Sequence, residues 1–177
     1  MVVRQAINIL CIIVYILSFW FDTTLLGYSN GSCLINRITY MFAHTGLLHL
    51  IFNLISLNVL WRAIKRMKYI QSGIVVSFLA AFAATYFSEY NIPTVGLSGV
   101  CFGMLGVLTI FCFRNKEYMI TLAVISVMQI ICYFFTASNV LNHAYSFAFA
   151  LIVGICAHKI ELKVNDSKYE RQRTKKV

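Results

Sequence analysis

The chain has 177 residues, 60% of them hydrophobic, with 12% charged residues and a single proline. Soluble domains carry about a quarter charged residues, and a core of this size could not hide so much apolar surface, so an ordinary water-soluble domain is excluded. The net charge of +9 would suit nucleic acid, but the basic residues fall where membrane topology puts them, and no nucleic-acid partner is expected.

A helix needs about 20 apolar residues to cross a bilayer. The chain therefore has room for about six spans and no soluble domain of any size. They are expected at 6–24, 40–61, 69–88, 98–113, 118–136 and 140–158. The fold class is all-α, a polytopic six-helix membrane bundle over residues 1–160, followed by a basic cytoplasmic tail over 161–177. In the first span Arg4 precedes the apolar run, but Trp20, Phe21 and Asp22 offer no small-residue cleavage site, so the segment reads as a retained span rather than a signal peptide. Residues 25–39 form an outer loop with Gly27, Asn30, Gly31 and Asn36.

The second span carries His44, His49 and Asn53. His49 and Asn53 are four apart and share one helical face; bonds between helices would explain them as well as chemistry would. Between the third and fourth spans lies the irregular stretch 89–97. The fourth span opens on Gly96-Leu97-Ser98-Gly99. At roughly 24 Å it is shorter than a hydrocarbon core of about 30 Å. Its Ser98 end should start below the membrane surface, where irregular backbone is tolerated only against protein or water. A water-filled cavity opening outward is expected there. Gln129 in the fifth span and Asn58 in the second read as interhelical contacts. The sixth span starts with His143, and Ser146, Ala150 and Gly154 follow on one face.

The charges test this topology. Fourteen of the fifteen Lys and Arg residues fall before span one, between spans two and three, between four and five, or after six. Only Arg37 falls on the other side. Cytoplasmic segments are rich in Lys and Arg, so both termini should be cytoplasmic, and the tail can also meet anionic headgroups. The six cysteines, Cys11, Cys33, Cys101, Cys112, Cys132 and Cys156, match no metal motif. Five lie in apolar stretches and read as small buried hydrophobes; no metal is expected.

Ionisable groups inside a membrane are costly and are candidates for function. Ser98, His143, His49 and Asn53 all belong to the outer halves of their spans. Serine needs a base to take its proton, and histidine is the usual one. An acyl intermediate needs donors for its oxyanion, and Asn53, His49 and the Ser98 N–H would supply them. Spans two, four and six hold no Asp or Glu to orient the histidine, so a Ser–His dyad is expected rather than a triad. Each residue alone has a plainer reading: Ser98 as a helix cap, His143 as a satisfied interfacial histidine. Gly99, Gly103 and Gly106 give span four a small-residue face for close approach to span six. Phe102, one turn after Ser98, is placed to pack on the His143 ring.

These residues resemble the rhomboid protease family. Three blocks carry the likeness: His44-Thr-Gly-Leu-Leu-His49-Leu-Ile-Phe-Asn53, like the family's H-x4-H-x3-N; Gly96-Leu97-Ser98-Gly99, like its G-x-S-G; and His143 with Ser146, Ala150 and Gly154. The resemblance implies Ser98 as nucleophile, His143 as general base, Asn53, His49 and the Ser98 amide as oxyanion hole, and His44 as a structural histidine under the first loop. It implies cleavage of single-span membrane proteins within or near their transmembrane helix, without metal or cofactor. The family's first-loop Trp-Arg is replaced by Asn36-Arg37-Ile38-Thr39, its tyrosine after the serine by Phe102, and its acidic residue after the second helix by the basic run Arg62–Lys68. The alternative is a non-catalytic rhomboid-like protein that binds client helices. A small transporter is disfavoured by the lack of acidic residues in these spans. The expected location is a prokaryotic inner membrane, with the site opening to the outer side.

Overall fold

The computed structural model describes residues 2–66, 72–112, 116, 119–120, 123–125, 127, 131 and 139–174, without the side chains of 66, 111–112, 157–158 and 160–174. Among these residues the chain is helix and loop with no strand. The helices are α1 (Val2–Leu17), the single turn α2 (Asn36–Thr39), α3 (Leu47–Arg66), α4 (Ser72–Ala84), α5 (Ser98–Cys112) and α6 (Val140–Thr174). The predicted fifth span lies mostly outside the described residues.

Large apolar side chains lie on the surface, and several polar ones are buried beside the apolar core. Large side chains stand exposed in stripes at helical spacing: Ile9, Ile13 and Ile16 on α1, and Leu48, Ile51, Ile55 and Val59 on α3. Meanwhile Arg37, His44, Asn53, Ser77, Ser88, Ser98, Asn139, Asn142, His143 and Ser146 are buried. An apolar exterior of this extent is incompatible with water. Among the described residues, Leu47–Lys65 is the one helix long and apolar enough to cross a membrane by itself; α1, α4, α5 and Val140–Cys156 are apolar but shorter.

α5 stands at the centre and packs on α3, α4 and α6, while α1 lies against α3. Leu97 just before it and Val100, Met104, Leu105 and Leu108 along it are fully buried. Missing side chains permit this crowding. A Cβ on Gly106 would collide with the Phe147 carbonyl and lie 3.1 Å from Leu151 N, both on α6. The expected small-residue face of α5 is thereby divided: Gly99 and Gly106 face α6, whereas Gly103 meets α4, where its Cβ would lie 2.8 Å from the Ser77 carbonyl oxygen.

Several boundaries differ from expectation. The first span was expected at 6–24, but α1 covers Val2–Leu17. The second span was expected at 40–61, but α3 begins at Leu47. Residues 40–42 form a 3-10 turn and Ala43 is extended, because the Tyr40 carbonyl accepts Gly96 N at 2.8 Å and its ring is buried. His44 therefore lies off the helix that carries His49 and Asn53. The third span, expected to end at 88, ends with α4 at Ala84; the hydroxyls of Thr85 and Ser88 bond Phe82 O and Ala84 O, each at 2.7 Å, and tighten its end. The sixth runs on to Thr174, about 52 Å at 1.5 Å per residue.

Candidate active site

The first loop is tied to the segment between α4 and α5. Tyr28 and Thr94 pair as an isolated antiparallel bridge, with N to O distances of 3.1 and 2.7 Å, and Asn30 N donates to Tyr90 O at 2.8 Å. Arg37 is the loop's anchor. Its guanidinium pairs with Glu89, donates to Thr85 O at 2.7 Å and lies 4.3 Å over the Tyr86 ring. Thr39 Oγ1 donates to Leu26 O at 2.8 Å. The Asn36–Thr39 stretch thus fastens the loop without a tryptophan.

The loop into α5 then turns sharply. Gly96 has φ +117°, in the left-handed region that favours glycine. A Cβ there would also lie 2.7 Å from His49 Nε2 and 3.5 Å from Asn53 Nδ2. Gly96 thus brings the backbone before Ser98 onto His49 and Asn53. Two residues later Ser98 opens α5, whose first N–H groups have no partner within the helix.

From the other side, α6 delivers His143. Its Nε2 lies 2.7 Å from Ser98 Oγ, and both side chains are buried. The Phe102 ring stacks on the imidazole with centroids 4.5 Å apart and an interplanar angle of 11°. Gly99 lets the two helix starts close in: its Cβ would lie 3.3 Å from Ser146 Oγ.

Opposite the pair, polar atoms are left over. Both side-chain atoms of Asn53, His49 Nδ1 and His44 Nε2 are buried without a hydrogen-bond partner among the described residues. His44 turns Nδ1 to Phe42 O at 3.3 Å and meets the His49 ring edge-on at 5.1 Å. Buried polar groups are nearly always paired, and these unpaired atoms, on His49 and Asn53 against Gly96 and on His44 behind His49, are free to receive polar atoms. No group of three or more His, Cys, Asp or Glu among the described residues could hold a metal ion.

A Rhomboid domain model matches residues 32–162. The chain belongs to the rhomboid family. No curated protein matches it. The rhomboid match takes in His44, His49, Asn53, Ser98 and His143, and the membrane-embedded character of the family accounts for the apolar exterior.

The structure thus gathers Ser98, His143, His49, Asn53, Gly96, Gly99 and Phe102 into one site and sets His44 behind His49. The sequence reading overlooked Asn139 and set Asn142 aside as a residue near a span end. Asn139 Oδ1 accepts Asn142 N at 3.1 Å, capping α6. An asparagine just before an apolar helix is a recognisable start signal, and it was the clue available.

Proposed function

We propose that this rhomboid is an intramembrane serine endopeptidase that cleaves single-span membrane proteins within or near their transmembrane segment. The observation that carries the reading is the 2.7 Å contact between the buried side chains of Ser98 and His143, Oγ to Nε2.

In this reading Ser98 Oγ–H gives its proton to His143 Nε2 as Oγ attacks the scissile carbonyl carbon. The resulting oxyanion takes hydrogen bonds from Ser98 N–H, Asn53 Nδ2 and His49, groups that are unpaired beforehand and so need no bond broken to serve. His143 then hands the proton to the leaving amine. Water, deprotonated by the same imidazole, releases the acyl group from Ser98. Phe102, stacked on the imidazole, holds the plane of the ring. The bundle spans the membrane six times with both termini cytoplasmic, 161–177 as the basic tail, and the site open to the outer side of a prokaryotic inner membrane. Lipid and single-span proteins are its partners; no cofactor is required.

The test is labelling of detergent-solubilised protein with a fluorophosphonate probe beside Ser98→Ala and His143→Ala. Labelling confined to the wild type supports the reading. A folded wild type that takes up no probe would sink it and favour the helix-binding alternative.

A further inference from the structure

The two members of the dyad sit on different helices, and something must fix one start against the other. Asn139 lies four residues before His143, and Thr94 lies four residues before Ser98. Their side chains meet: Asn139 Nδ2 to Thr94 Oγ1 is 2.9 Å. This contact is a second rung beside the Ser98–His143 contact.

Proton bookkeeping shows that the rung has one orientation. The Ser88 hydroxyl donates to Ala84 O at 2.7 Å. Its single proton is thereby used, so in the 2.9 Å contact between Tyr28 OH and Ser88 Oγ the tyrosine is the donor. The two Asn139 amide protons go to its nearest acceptors, Ser88 O at 2.7 Å and Thr94 Oγ1 at 2.9 Å, with Tyr28 OH further off at 3.2 Å. Asn139 Oδ1 is turned the other way, onto Asn142 N at 3.1 Å. A flipped amide would set oxygen against the Ser88 carbonyl and NH2 against the Asn142 N–H, losing both of those bonds. The Asn139 carbonyl meanwhile accepts His143 N at 3.3 Å. One residue, 6% exposed, therefore caps α6, closes the turn that carries His143, and holds that turn to Ser88, beyond the end of α4, and to Thr94 on the approach to Ser98.

We propose that Asn139 is a positioning residue of the dyad, which through its bond to Thr94 sets the His143–Ser98 distance; this rests on the dyad reading given above. A merely stabilising contact would change how long the fold lasts. A positioning contact changes the rate of the chemical step in protein that is still folded.

The experiment measures fluorophosphonate labelling at several probe concentrations, well below each variant's unfolding temperature, and separates kinact from KI. Asn139→Ser keeps a hydroxyl oxygen to cap α6 and removes both amide donors. It is expected to lower kinact by between about 10- and 100-fold, the scale of a displaced reacting group, with KI unchanged. Thr94→Val removes the acceptor from the far side while leaving α6 and its cap intact, so it keeps the test available where Asn139→Ser fails to fold. It is expected to lower kinact as well, and the double variant is expected to be no slower than the slower single. Folded Asn139→Ser and Thr94→Val proteins with wild-type kinact would overturn the proposal and leave the dyad standing. A wild type that takes up no probe would overturn the dyad reading, and this proposal with it.

Discussion

The two ends of α5 are held by opposite means. At the Ser98 end the neighbours are loops and polar side chains: Tyr28, Tyr40, Ser88, Thr94, Asn139 and His143 make directional bonds that fix angles as well as distances. Toward Cys112 the described contacts between helices are close-packed. Contact there rests on absent side chains, at Gly103 against Ser77 and at Gly106 against Phe147 and Leu151. In lipid, packing of small residues supplies association without any hydrophobic drive. The close-packed part supplies the rigid frame, and the hydrogen-bonded part supplies the geometry chemistry needs.

Substitutions at the two ends should therefore fail differently. His143→Ala is expected to have the largest effect, a loss of proteolysis of at least about 10³-fold with the bundle still folded; a cleavage assay with a single-span substrate in detergent reads it. Gly106→Val is expected to cost about 3 kcal/mol or more through overpacking against fixed backbone, which a thermal unfolding scan would show. If it stayed as stable as the wild type, the close-packed account of that end would be wrong. Asn53→Ala should slow turnover about 10²-fold, as for a lost oxyanion donor, while the unfolding midpoint stays put, since its side chain has no partner to lose. Arg37→Ala should cost about 2 kcal/mol, less than a fully buried pair because Glu89 is partly exposed; Arg37→Ala with Glu89→Gln should recover part of that. The smallest effect belongs to Asn8→Leu. It removes the 3.3 Å bond from Asn8 to Asn58 between α1 and α3, worth about 0.6 kcal/mol inside a membrane.

Much of the Ser98 end could be read from residue types alone, because polar residues in an apolar chain stand out. His49, Asn53, Ser98 and His143 were visible for that reason, and Phe102 by its one-turn spacing. Harder to see was what depends on long-range closure. Nothing in the sequence pairs Arg37 with Glu89, 52 residues away, or Asn139 with Thr94. The start of α3 was misplaced because hydropathy does not register that Tyr40 gives its carbonyl to Gly96. The division of the α5 glycines between two neighbours was equally hidden, since a small residue does not say which helix it faces.

The Arg37–Glu89 pair bears on how the molecule is put together. In the proposed topology both residues are delivered to the outer side, but on separate loops, with α3 and α4 between them. When the first hairpin has inserted, Arg37 has no counter-ion, no Tyr86 ring and no Thr85 carbonyl to receive it, and it must stay hydrated. Burying it alone would cost several kcal/mol. It can settle only once α4 has crossed and brought Thr85, Tyr86 and Glu89 into reach. The first loop, though made early, is therefore among the last parts of the outer face to take its final shape, and the cover over the serine closes only when the helices beneath it are already in place.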